Sequence, residues 1–140
     1  MNTAFLSHIH WPAFLVAGLS YFALGALWYN KILFAKKWLE LTKIDATDPN
    51  AAKGMAGIMM GSLLAMLVVS FGMAILVVKL QLTGFTNGLK LGALTGICFG
   101  ATAISISYLY EKRPIGLHLI NGGYTLTGNI IAAVILCVWQ

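Results

Sequence analysis

Four long apolar runs, none with a charge at its middle, decide what this chain can fold into. They cover about residues 12–30 (PAFLVAGLSYFALGALWYN), 55–78 (MAGIMMGSLLAMLVVSFGMAILVV), 88–110 (GLKLGALTGICFGATAISISYLY) and 115–139 (IGLHLINGGYTLTGNIIAAVILCVW). Each approaches or exceeds the roughly 20 residues that cross a hydrocarbon layer of about 30 Å. Lipid cannot satisfy exposed backbone amides, so an open chain crosses it only as helix. The fold class expected is all-α, with four transmembrane helices in an antiparallel bundle and one transmembrane domain over residues 1–140.

Composition excludes the soluble alternatives. Hydrophobic residues make up 59% of the chain and charged ones 9%, against about 25% charged in soluble domains. A small domain has proportionally more surface to cover with polar groups, so a large core does not explain the shortfall. The formal charge of +5 is no sign of nucleic acid, because the nine Lys and Arg flank the apolar runs, where anionic headgroups attract them. Membrane lipids are the expected partners, and nucleic acid is not. Cys98 and Cys137 form no Cys-x-x-Cys, which disfavours disulfide exchange and a mutual bridge. The first residues lack the basic stretch of a cleavable leader, so the first helix is expected to stay.

Boundary residues refine the spans. Pro12 and Pro114 suit a first helical position, where no amide hydrogen is needed. Asp48-Pro49 offers the same signal with a side-chain cap, starting the second helix ahead of its entry into lipid. Thr86, Asn87 and Gly88 read as the turn before the third. Seven cations fall in the first and third loops (Lys31, Lys36, Lys37, Lys43, Lys53, Lys112, Arg113), and two, Lys79 and Lys90, edge the second. Positive loops stay inside, so both termini are expected on the non-cytoplasmic side of a multi-pass protein of the inner (plasma) membrane.

The first loop carries its own pattern. Phe34, Trp38 and Leu41 recur at i, i+4, i+7, with Lys36, Lys37, Glu40 and Lys43 opposite. That alternation predicts a short amphipathic helix in the headgroup layer, with Trp28, Phe34 and Trp38 as interface anchors. Glycine recurs every fourth residue at Gly84, Gly88, Gly92, Gly96 and Gly100. Within a helix Gly92, Gly96 and Gly100 form an inclined groove suited to a close crossing. Shorter ridges stand at Gly57, Gly61, Ala65 and at Gly128, Ala132. The partner of the groove, a helix of this chain or of another subunit, is left open by the pattern.

The stretch Gly25 to Trp38 (GALWYNKILFAKKW) combines Gly-x-x-Trp-Tyr with Phe34 and Trp38, and Glu111-Lys112-Arg113-Pro114 leads into Leu119-Ile120-Asn121-Gly122-Gly123-Tyr124. Both resemble the bacterial four-helix membrane family known as domain of unknown function 1761, over essentially Trp11 to Trp139. Gly25, Trp28, Tyr29, Phe34 and Trp38 match its pattern. Asn30 and Lys31 stand where the family often has a small residue and proline. Without that breaker the first helix is expected to run on toward Phe34. The resemblance implies the four-helix architecture and no activity.

The most polar membrane segment is the hairpin of the third and fourth helices. Depth matching sets Tyr110 near Gly116, Ser105 near Asn121 and Thr102 near Tyr124. His118, Asn121, Thr125 and Gly128 share one helical face. With Tyr29, Tyr108 and Glu111 at the same level, the candidate ligand-binding layer is Tyr29, Tyr108, Glu111, His118 and Asn121. The bland reading of these groups is hydrogen bonding between helices; the functional one is a polar pocket, because His118 is the one titratable residue set inside a span. No metal is expected, since no second His, Cys or carboxylate shares a face with His118 and His8 and His10 lie near the other surface. No cofactor is expected.

Two functions compete. One is a non-enzymatic, oligomerising module that binds a lipid or small hydrophobic ligand or supports a partner complex. The other is a small oligomeric transporter or channel with a polar path along the third and fourth helices. Glu40, Asp45, Asp48 and Glu111 all fall outside the span centres, which counts against a proton-driven antiporter. An enzyme ranks last, for want of a nucleophile–base pair, paired carboxylates or a phosphate cradle.

Overall fold

The computed structural model describes residues 4–139. After a short 3-10 turn at Ala4–His8, the chain forms α1 (Trp11–Trp28), α2 (Ala35–Thr42), α3 (Met55–Lys79), α4 (Phe85–Thr95), a π-helical segment (Gly96–Ala101), α5 (Thr102–Tyr110) and α6 (Ile115–Val138). The segments from Phe85 to Tyr110 run on as one helix, so among the described residues four helices are long and apolar enough to cross a membrane, with α2 between the first two. The fold is all-α, as the apolar runs require.

Several boundaries differ from expectation, each for a local reason. Pro12 does sit in the first turn of α1, and His10 Nδ1 caps it by accepting from the Ala13 amide at 3.3 Å. At its other end α1 stops at Trp28 instead of running to Phe34. Asn30 replaces the missing proline: its side chain accepts from the Ile32 amide at 3.2 Å, and its carbonyl takes the amides of Leu33 and Ala35. This Asx-type turn competes with helix and reverses the chain. α3 starts at Met55, past Asp48-Pro49, because Asp48 spends its carboxylate on the Asn50 amide at 2.8 Å. Pro114 is the residue before α6 rather than its first. Thr86, Asn87 and Gly88 are already helical; the turn is Gly84, at φ +81°, whose amide donates to the Cys137 carbonyl at 2.7 Å.

α6 is the hub. It packs against α1, α3 and α4, and α1 also packs against α3. The glycine ridge faces α6 of the same chain, which settles the partner that the pattern left open. A side-chain carbon at Gly88 would lie 2.6 Å from the Val134 Cα, and one at Gly96 would lie 2.8 Å from the Leu126 Cα. Gly92 meets the Ile130 backbone more closely still. Four residues along α4 thus answer four along α6 in the opposite sense, and the two backbones touch. Gly57 and Gly61 on α3, by contrast, have no neighbour within 4 Å.

The register breaks at the π segment. The Thr102 amide reaches the Ile97 carbonyl, five residues back, so the helix carries one residue more than an α-helical turn. Within it Gly100 meets Thr125. Tyr108 reaches both Asn121 and His118, and the Tyr124 ring meets Tyr21, Trp28 and Tyr29 at α1. Cys98 faces outward and Cys137 is buried, both as free thiols.

Candidate binding groove and polar layer

At the end of the bundle that carries α2, α1 and α3 part. They are tight where Gly18 admits Leu67, whose Cδ2 would be 2.6 Å from an added side-chain carbon. Beyond that level every residue from Met55 to Gly61 is exposed. The gap is a lateral groove of about 600 Å³, within the roughly 300–1,000 Å³ of small-molecule sites. α1 lines it with Phe22, Gly25 and Ala26, Tyr29 follows at the end of that helix, and α2 contributes Ala35, Trp38 and Leu39. α3 adds Met55, Ile58, Met59, Ser62 and Met66, and Tyr124 of α6 stands at the back. Three of those α3 residues are methionines, whose unbranched thioethers adapt to irregular shapes.

Aromatic contacts fix the back and floor. The Tyr124 ring sits edge-on to Tyr21 and Tyr29, with centroids 5.5 and 5.4 Å away. Its hydroxyl lies 3.8 Å from the Met66 Sδ, and Gly25 leaves room for it. The Tyr21 ring occupies the space above Gly128, where any side chain would collide with it. Asn129 donates to the Tyr21 hydroxyl at 3.2 Å and that hydroxyl donates to the Thr125 carbonyl at 3.2 Å, so the phenol is held from two sides.

Beside this groove lies a hydrogen-bonded relay across three helices. The Tyr29 hydroxyl donates to Asn121 Oδ1 at 2.7 Å, and Asn121 Nδ2 donates to the Tyr108 hydroxyl at 2.6 Å. His118 is buried, its ring edge-on to Tyr108 at 5.4 Å. Four of the five expected layer residues thus come together. Glu111 does not join them: it is exposed and pairs with Arg113 Nε at 2.9 Å.

The aromatic anchors are placed less simply than an interfacial belt. Trp28 turns inward, donating from Nε1 to the Ile120 carbonyl at 3.0 Å and packing its ring 4.9 Å from Phe34. Trp38 meets Tyr29 at 5.6 Å. α2 is therefore bolted to the bundle through its apolar face, which Leu41 extends onto Gly116. Its other face carries Lys36, Lys37 and Glu40, with Lys37 paired to Glu40 at 3.1 Å.

The sequence reading missed Tyr21, Met66, Ser62, Tyr124 and Asn129. A signal for part of this set was present: Tyr21, Gly25 and Tyr29 recur every fourth residue on one face of the first helix. No group of three or more His, Cys, Asp or Glu stands together among the described residues.

The family model described as protein of unknown function (DUF1761) matches residues 12–137. The chain belongs to that family. The DUF1761 match runs from the start of α1 to the last turn of α6, so it contains the groove and the relay together. No curated protein matches the chain, and no solved structure does.

Proposed function

We propose that this protein is a non-enzymatic membrane module that takes a lipid or a small hydrophobic ligand sideways from the bilayer into the groove between α1, α2 and α3. The observation that carries this reading is the groove itself: about 600 Å³, walled largely by apolar side chains and open toward the lipid-facing side of α3. Met55, Ile58 and Met59 of α3 share its walls with Trp38 and Leu39 of α2. Filled by an acyl chain or a ring, the same surfaces gain dispersion contacts. The Ser62 and Tyr29 hydroxyls on the walls orient a polar end.

The seven-to-two distribution of cations supports an inner-membrane placement with α2 on the cytoplasmic face and both termini opposite. The bare Gly57, Gly61 step on α3 supports self-association through that helix. Native mass spectrometry of the gently extracted protein tests these points together. The expected spectrum shows more than one chain per particle and a retained amphiphile on each. Bare monomers under conditions that keep lipid on other membrane proteins would contradict the proposal.

A further inference from the structure

We infer that the pocket between the end of α2 and the loop joining α5 to α6 is a binding site for the phosphate of an anionic lipid headgroup; this rests on the groove above as the seat of the lipid's chain. The pocket, about 390 Å³, is lined by Leu41, Thr42 and Lys43 on one side and by Glu111, Lys112, Arg113 and Pro114 on the other. Two chain reversals face each other across it. Lys43 closes α2 at φ 58° and Lys112 closes α5 at φ 55°, a left-handed conformation usually left to glycine or asparagine. After Lys112 the Arg113 amide donates back to the Tyr108 carbonyl at 2.9 Å, a helix-ending bond that fixes where Arg113 leaves the backbone. The two walls are clamped by Leu41, which fits where Gly116 has no side chain.

The charge is unbalanced. Three cations share the pocket with one carboxylate. Glu111 engages only Arg113 Nε, and among the described residues neither lysine has an ion pair. The terminal guanidinium nitrogens make no hydrogen bond among the described residues either, which leaves the fork that matches phosphate oxygens. Arg113 also lines an adjoining pocket of about 230 Å³ with Trp38, Tyr108 and Asn121, and Trp38 lines the apolar groove as well. Apolar chain site, hydroxyl and amide donors, and cationic cluster therefore follow one another around a single indole. An amphiphile with a phosphate at its polar end has that same order of parts.

The test uses the full-length protein in detergent, offered short-chain phosphatidic acid, phosphatidylcholine of the same chain length, or inorganic phosphate, with bound species counted by native mass spectrometry. The expected result is a preference for phosphatidic acid over phosphatidylcholine of about 25-fold, from roughly fivefold for each of the two lysines, and no displacement by equimolar inorganic phosphate. Lys43→Gln with Lys112→Gln should bring the preference close to unity while phosphatidylcholine retention stays unchanged. Lys36→Gln with Lys37→Gln, which removes equal charge outside the pocket, should leave the preference intact. Equal retention of the two lipids by the unaltered protein, equal losses in both double variants, or occupancy by inorganic phosphate in place of lipid would each overturn the headgroup site and leave the groove standing. Retention of neither lipid would remove the groove as well.

Discussion

The Tyr29 hydroxyl, just past the end of α1, donates to the Asn121 side-chain carbonyl on α6 at 2.7 Å. That bond, continued from Asn121 to Tyr108, ties three spans at the level where the chain reverses toward α2. Asn121→Leu leaves two phenol hydroxyls without their partner, which costs about 1–3 kcal/mol when the groups stay away from water. Adding Tyr29→Phe to Asn121→Leu removes one stranded hydroxyl and should restore part of the loss. Thermal melts of the four proteins in one detergent form the double-mutant cycle; strict additivity would show that the bond contributes no coupling.

His118 has a different standing from Asn121. Its contact is a ring against Tyr108, with no hydrogen bond among the described residues. His118→Phe keeps the aromatic shape and strands no partner, so its cost should stay below about 1.5 kcal/mol. A melting-temperature drop larger than that of Asn121→Leu would mean that the imidazole holds the layer together.

The glycine ridge predicts a sharp positional contrast. At Gly96 an added side chain meets the Leu126 backbone, whereas at Gly72 nothing lies within 4 Å. Gly96→Leu should therefore lower stability by about 1–3 kcal/mol or more through overpacking, and Gly72→Leu should change it little. Equal thermal stability of the two variants in detergent would refute the close α4–α6 crossing.

Much of this architecture is legible from residue type alone. Four apolar runs fix four helices because lipid offers no alternative, and Phe34, Trp38 and Leu41 mark α2 because its two faces meet different media. The glycine spacing announces a close crossing, yet cannot name the partner, since a groove looks the same whichever helix fills it. What stays hidden depends on contacts distant in sequence. The turn at Asn30 is written locally, but it was overshadowed by the missing proline beside it. The π segment is not: its extra residue becomes visible only in the bond from the Thr102 amide to the Ile97 carbonyl, five residues back. The groove is hidden for the same reason, because it is made by the parting of α1 and α3 and by no motif in either.

The proposed topology, with α2 inside, is checked on intact cells with single cysteines in a background lacking Cys98 and Cys137. A cysteine in the 43–53 loop should resist an impermeant maleimide, and one added at the C-terminus should react. The reverse pattern would place α2 and the cation pocket on the outer face and remove the positive-inside basis for the assignment.

Occupancy of the groove by lipid is measured by photo-crosslinking. A fatty acid carrying a diazirine near its middle is incubated with the protein in bilayer nanodiscs, irradiated, and the adducts are mapped by peptide mass spectrometry. Met59, Ser62 and Met66 line the groove, whereas Val68 and Phe99 are exposed apolar residues that do not line it. Adducts should concentrate at the groove positions and be suppressed when Ser62→Trp fills the space between α1 and α3. Adducts spread evenly over Val68, Phe99 and the groove residues, unchanged by Ser62→Trp, would contradict that occupancy.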